Sequence, residues 1–331
     1  MLNYVSCMSL LIVSYLFYSN HSYYQGFFSK SYSIFSFQVS ALEILKYFVL
    51  FYAVVLIPYY FTLPVEYVTK SRKFFIAIRK FFTAAPIEKS ERVAVLSTMV
   101  KFFFLPMMLI WFVDHVFAMS GNTLAVLRNW SFFPSGYWAL FNLILFVDTF
   151  FFTVGYAVEH PWLKNEIRSV EPTLFGWIVV LACYPPFNGI TSQMIGWYSS
   201  DMPNFNNEYL RYPAAIAALV LMAIYSWASV ALNFKASNLT NRGIVTWGPY
   251  RYVRHPAYAA KNMAWWIGSV PIVSQLYYAG WSQFLFALGS VFGWSLIYYF
   301  RAITEERHLS LDNDYVEYCK KVKYRFIPKV I

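Results

Sequence analysis

The chain has 331 residues, is 59% hydrophobic and only 13% charged, and carries a formal net charge of +10. A soluble domain is nearer half apolar and a quarter charged, so these proportions exclude an ordinary water-soluble globule and indicate an all-α polytopic membrane protein. The basic excess suits loops facing an anionic leaflet, and no nucleic-acid partner is inferred from it.

Eight membrane spans are predicted, at residues 2–18, 42–63, 93–119, 137–158, 173–189, 213–233, 257–278 and 282–304. The first lacks a basic n-region and reads as a span rather than a removed signal. With the N-terminus inside, 21 Lys and Arg fall in cytoplasmic segments and three (Lys30, Arg128, Arg211) in outside loops. That asymmetry places both termini in the cytoplasm, in a bacterial inner membrane or endoplasmic reticulum. Between the second and third spans, residues 64–92 read as a basic amphipathic surface helix, with Phe74, Phe75, Ile78, Phe81 and Phe82 among Lys and Arg. The chain divides at residue 233 into six N-terminal spans (1–233) and a region (234–331) holding a loop, a helical hairpin and a cytosolic tail. The three cysteines, Cys7, Cys183 and Cys319, are too far apart to suggest a metal site or a disulfide framework.

The chemistry concentrates on the last hairpin. Arg254-His255-Pro256-Ala257-Tyr258 opens its first helix, and Arg301 to Glu306 closes its second, about fifty residues later. Two membrane-length helices and a turn return the chain to the face it left, so the two clusters meet at one surface. Pro256 suits a first helical turn, and Arg254 and His255 then flank a helix N-terminus that favours anions. Arg301 and Glu305, four apart, share a helix face, while Glu306 points elsewhere. Cations and a carboxylate at one depth suit an amino acid head group, such as that of S-adenosylmethionine. Tyr250, Tyr252, Tyr258, Trp265 and Trp266 are candidates for an adenine slot.

From about Lys235 to Pro328 the sequence resembles the isoprenylcysteine carboxyl methyltransferases and their phospholipid-methyltransferase relatives. The resemblance lies in Gly248-x-Tyr250, Arg254-His255-Pro256-x-Tyr258, Arg301-x-x-x-Glu305-Glu306, and Asp314-Tyr315-x-x-Tyr318 leading to Tyr324-Arg325-x-x-Pro328. It implies S-adenosyl-L-methionine as cofactor, lined by Lys235, Arg242, Gly243, Ile244, Val245, Tyr250, His255, Pro256, Ala257 and Tyr258, with Arg254 at the same helix start. Glu305 would hold the cofactor's amino group and Arg301 would reach a substrate carboxylate. The implied partner is a lipophilic or prenylated acceptor entering from the membrane. A thiol or amine acceptor would need a base, for which Glu306 and His255 are candidates. Two departures bear on the acceptor: Ala260 stands where glycine is frequent, and Lys261-Asn262 stand where apolar residues are expected. An NADPH-dependent sterol or lipid C=C reductase of the same fold family is the alternative that the tail suggests. A non-enzymatic transporter or scaffold is the third reading.

Other polar residues need places. Asp148, near the middle of a span, either pairs with Lys101 or lines a substrate cavity. Asp114-His115 reads as a solvated boundary pair, and Glu159-His160-Pro161 as a polar loop entering a short helix. Asp314 with Glu317 reads as a capping box starting the tail helix, which folds over the site as part of a lid. Asn238-Leu239-Thr240 spells a glycosylation sequon, but this topology places it in the cytosol.

Overall fold

The computed structural model describes residues 1–34, 37–64 and 66–330. The chain forms two compact units, Met1–Val113 and Asp114–Ile331. Unit 1 holds α1 (Leu2–Asn20), α2 (Ser22–Phe27), an antiparallel ribbon of β1 (Ser31–Ile34) and β2 (Phe37–Ser40), α3 (Ala41–Thr62), α4 (Lys70–Phe82) and the first part of α5 (Lys89–Arg128). Ser40 and Glu43 form a reciprocal capping box that fixes the start of α3. The buried Tyr18 hydroxyl donates to the Phe102 carbonyl at 2.8 Å, tying α1 to α5.

Unit 2 holds the end of α5, then α6 (Tyr137–Ala157), α7 (Leu174–Leu181), α8 (Phe187–Ile195), α9 (Glu208–Leu232), α10 (Pro256–Ala279), α11 (Trp281–Leu309) and α12 (Asn313–Lys321). Small side chains allow α9, α10 and α11 to pack closely. Ala215 and Ala218 of α9, Ala260 and Ala264 of α10, and Ala287 and Ala302 of α11 are all buried. In the α10–α11 hairpin, the Trp266 indole donates to Ser295 across the two helices at 3.0 Å. A second two-stranded ribbon pairs β3 (Ser169–Val170) with β4 (Thr240–Asn241), joining the loop after α6 to the loop after α9.

Among the described residues, six helices are long and apolar enough to cross a membrane: Leu2–Asn20, Ala41–Thr62, Lys89–Arg128, Phe132–Ala157, Glu208–Lys235 and Trp281–Leu309. They coincide with six of the eight predicted spans. The seventh, at 257–278, is the 24-residue α10, long enough but diluted by polar residues. The fifth, at 173–189, is no single helix. It is α7 and α8, broken at Tyr184-Pro185-Pro186 because each proline lacks an N–H and clashes with the preceding turn. The broken segment still runs antiparallel to α11: Phe175 packs on Phe300, Ile195 reaches Gly293, and Tyr198 lies against Phe286. Beyond it the extended chain presses on α10. A Cβ at Gly268 would come 2.0 Å from the Ser200 carbonyl oxygen, so only glycine fits there.

The amphipathic helix predicted within 64–92 is α4, capped by Thr69. At 100° per residue, Phe74, Phe75, Ile78, Phe81 and Phe82 make one stripe, with Arg72, Lys73, Arg79 and Lys80 on the remaining surface. Ala77 is buried, while Phe81 and Phe82 are 70% and 81% exposed. Such a stripe fits the interfacial plane of a bilayer with anionic lipids. A nitroxide at Phe82→Cys, with Cys7, Cys183 and Cys319 replaced by Ser, should be open to oxygen and shielded from an aqueous nickel chelate in anionic vesicles. Chelate access as high as at a solvated loop would refute this placement.

Candidate active site

Glu306 is the hub of the site. Its carboxylate, near the end of α11, is 11% exposed and faces two guanidinium groups and an imidazole. Arg325 of the tail donates to Oε2 from Nε at 2.9 Å. His255 Nε2 lies 3.1 Å from Oε1. Arg254 Nε lies 3.3 Å from Oε1, a charge contact without hydrogen-bond alignment. Backbone bonds reinforce the same junction: the Arg254 N–H donates to the Tyr324 carbonyl at 2.9 Å and the His255 N–H to the Arg325 carbonyl at 2.8 Å. The sequence reading that Glu306 points away from the site is therefore corrected. Side chains three, four and five residues apart can all turn toward a neighbour at a helix end, and His255 sits between the two glutamates. Its other ring nitrogen, Nδ1, is 3.9 Å from Glu305.

Glu305 is more open. Its side chain is 43% exposed, and Oε2 accepts from the Tyr258 hydroxyl at 2.8 Å. The Tyr258 ring stacks on His255, 5.3 Å between centroids and 7° between planes. Pro256 begins α10 as expected, with His255 as its N-cap.

Arg301 is fully enclosed, at 3% exposure. Its guanidinium lies over Tyr298 (4.7 Å), Tyr258 (5.0 Å) and Tyr184 (5.7 Å). Nη2 donates to Asn238 Oδ1 at 3.1 Å, and Nε has no hydrogen-bond partner. Among the described residues no carboxylate lies within 4.0 Å of it. Burying an unpaired charge costs several kcal/mol, and a desolvated cation–π contact returns about 2 kcal/mol. The cage offsets much of that cost and leaves one donor aimed at nothing, as an anion site requires.

Asn238, Tyr184 and Tyr298 were not identified from sequence. The Asn238 amide donates to the hydroxyls of Tyr156 (3.1 Å) and Tyr184 (3.2 Å) while its oxygen receives Arg301. The sequon spelling drew attention to Asn238 for an unrelated reason. Tyr184 had a signal in the Pro185-Pro186 pair, which marks a break in a span.

The loop predicted to line a cofactor is held by the tail and by β3. Ile244 and Tyr250 pack on Tyr315, Tyr318 and Val322. The Tyr318 hydroxyl donates to the Tyr250 carbonyl at 2.6 Å, and burial raises the Tyr250 phenol well above its ordinary value. Arg242 is buried, and burial lowers its guanidinium from the usual value. Nη1 donates to the Asn165 carbonyl at 2.9 Å, while Nε and Nη2 lack partners. Gly243 has φ +93°, and a Cβ there would meet Arg168 Nη2 at 3.0 Å and Lys235 Nζ at 3.2 Å. Lys235, Arg242 and Gly243 are thus gathered around one turn, with Ile244 on the tail side; Val245 follows in the same loop. Ala257 occupies the first turn of α10.

Three expectations change in detail. Arg254 is turned to the tail, donating to Cys319 Sγ at 3.5 Å and the Lys323 carbonyl at 3.3 Å, rather than presented to a ligand. The tail helix is capped by Asp312, whose side chain accepts from the Asp314 N–H at 3.1 Å; Asp314 lies in the first turn and is exposed. Tyr252 is 51% exposed beneath Arg251, and Trp266 is occupied within the hairpin, so neither joins the aromatic walls. His115 Nδ1 reaches Asn142 Oδ1 at 2.9 Å. Glu159 Oε1 accepts from the Ile167 N–H at 2.8 Å, and His160 caps the short helix Pro161–Leu163.

Removing Glu306's charge strands Arg254 and Arg325 in a partly buried junction. Glu306→Gln should lower stability by about 3 kcal/mol, read as a lower Tm in detergent and as faster hydrogen exchange confined to residues 250–256 and 313–326. An unchanged Tm would deny the hub its role. Asp312 contributes an acid limb. Its desolvation, which would raise the pKa, is outweighed by hydrogen bonds from Asn241, the Asp314 N–H and Arg168, so the folded value lies below the ordinary 3.8. Its stabilisation is complete above that ordinary value and is lost as pH falls through the folded one. Asp312→Asn should therefore flatten the dependence of Tm on pH below about 4 and leave it unchanged in shape between 5 and 7.

No curated protein matches the chain, and no solved structure matches it. Residues 211–310 match a family model. The match covers under a third of the chain: α9, the loop after it, and the α10–α11 hairpin with Arg301, Glu305 and Glu306. It stops short of the tail helix. That segment, which carries the caged arginine and both glutamates, is matched by the isoprenylcysteine carboxyl methyltransferase (ICMT) family, which makes a membrane methyltransferase the general reading of the site.

Proposed function

We propose that the protein is an S-adenosylmethionine-dependent carboxyl O-methyltransferase acting on a lipophilic, isoprenylcysteine-like acceptor. The observation that carries this is the pairing of an enclosed guanidinium lacking a carboxylate with a half-open carboxylate four residues on. Arg301 and Glu305 are about 6 Å apart along one helix face, so an anion and an ammonium can be held side by side. The family match points the same way and does not favour the NADPH-dependent reductase.

The donor set suits the cofactor. Glu305 takes the ammonium, with Tyr258 fixing one of its oxygens. Lys235, the unmet nitrogens of Arg242, and the N–H groups opening α10 supply positive potential for the carboxylate. S-adenosylmethionine, when bound, supplies a methyl group on a positively charged sulfur. An acceptor carboxylate is already ionised near pH 7, so no general base is needed. Arg301 orients that carboxylate. Bound S-adenosylmethionine would give up the methyl group to an acceptor oxygen and keep the C–S bonding pair on sulfur, so the protein's residues would have no proton to move. Tyr184, Tyr258 and Tyr298 exclude water, which strengthens the attraction between carboxylate and methyl donor. Glu306, with both oxygens engaged, holds the walls together rather than removing a proton.

Calorimetric titration with S-adenosylhomocysteine tests the reading. Wild type should bind, and Glu305→Gln should weaken binding at least about tenfold. Arg301→Met should keep that affinity and lose methyl transfer to S-farnesyl carboxylates. Folded wild type that ignores S-adenosylhomocysteine and binds NADPH would overturn it.

A further inference from the structure

A second cation borders the same aromatic wall. Lys261 lies one turn beyond Tyr258 in α10, about 7.5 Å into the helix. A lysine inside a segment read from sequence as a membrane span by default marks function. Its Nζ lies over Tyr225 at 5.1 Å and Trp265 at 5.3 Å. Among the described residues no carboxylate oxygen comes within 4.0 Å of it. Asp148 and Asp201 are acidic groups whose charge reaches Lys261 from beyond contact distance, and Asp148 is already hydrogen-bonded: Oδ2 accepts from the Tyr225 hydroxyl at 2.9 Å and Oδ1 from the Ser229 hydroxyl. Trp265 stands edge-on to Tyr298 at 5.2 Å, and Tyr298 carries Arg301 on its ring. Arg301 and Lys261 therefore flank a single Tyr298–Trp265 wall, each with donors that the protein leaves unmatched.

We propose that Lys261 is a second anion-binding group of the acceptor chamber, so that the acceptor is an amphiphile with two negative charges on its head. This rests on the reading of Arg301 as the acceptor's carboxylate site. One charge meets Arg301 and becomes methylated. The other meets Lys261 and sets which acceptor is used. It also explains why a lysine stands where a purely prenyl-binding wall would be apolar.

The test compares S-farnesyl mercaptosuccinate, a dianion, with S-farnesyl 3-mercaptopropionate, a monoanion with the same chain. Affinities are measured by calorimetry on the full-length protein in nanodiscs, with S-adenosylhomocysteine titrated separately. Wild type should bind the dianion at least about tenfold more tightly, since the smaller head group forgoes the charge-assisted contact to the half-buried Lys261. Lys261→Met should bring the ratio to about one and leave S-adenosylhomocysteine affinity unchanged, and Lys261→Arg should retain a preference. A wild-type ratio near one overturns the proposal. So does a Lys261→Met variant whose lowered Tm and equal loss of both acceptors are restored by Asp148→Asn, because Lys261 would then be the counter-charge of Asp148. If Arg301→Met left both acceptors bound as before, the acceptor assignment itself would fall, independently of the cofactor titration.

Discussion

One buried carboxylate coordinates the whole site. Glu306 draws together the start of α10, the end of α11 and the returning tail through Arg254, His255 and Arg325. The start of α10 and the tail each bring an arginine, and neither can leave without stranding charge in a low-dielectric junction. With His255 fixed this way, the ring on which Tyr258 stacks is fixed too, and with Tyr258 the hydroxyl that orients Glu305. The chemistry is thus two contacts away from the residue that organises it.

A different balance governs Arg301. The family resemblance assigns it to a substrate carboxylate, and the structure shows how a bare guanidinium tolerates burial meanwhile. Three tyrosine faces supply quadrupole attraction and one amide oxygen supplies a hydrogen bond. A glutamate in that cage would neutralise the guanidinium and remove the anion-binding role proposed for it. Tyrosines suit the position because they attract the cation without neutralising it.

The convergence of His255 with Glu305 was legible in the sequence, since hairpin length and helical rise alone return the chain to its starting face, whereas the place of Glu306 at their junction was not. So was the basic amphipathic α4, whose periodicity is local. Asn238 was not legible, because its place beside Arg301 depends on β4 pairing with β3, a contact between loops about seventy residues apart. The contacts of Arg254 were hidden for a similar reason: nothing near it in sequence announces that Tyr324 and Lys323 will take its backbone and side-chain donors. The division of 173–189 into two helices did have a local signal in Pro185-Pro186. Overall hydrophobicity outweighed it, and apolar composition says how greasy a segment is rather than how its backbone runs.

That interruption between α7 and α8 has a consequence for how the fold meets lipid. Pro185 and Pro186 have no N–H to continue the ladder, so the Ala182 carbonyl loses its regular donor, and the Thr191 hydroxyl recovers that oxygen at 3.0 Å. Hydrocarbon solvates none of these groups, so irregular backbone at membrane depth survives only where it turns inward onto protein or a polar cavity. Tyr184, within the interruption, does turn inward, its ring facing the guanidinium of Arg301. The same disruption that spoils a span as a lipid-facing cylinder thereby gives the chamber its third wall, and α8 beyond it, with Ile190 and Met194 exposed, is left to greet the acyl chains.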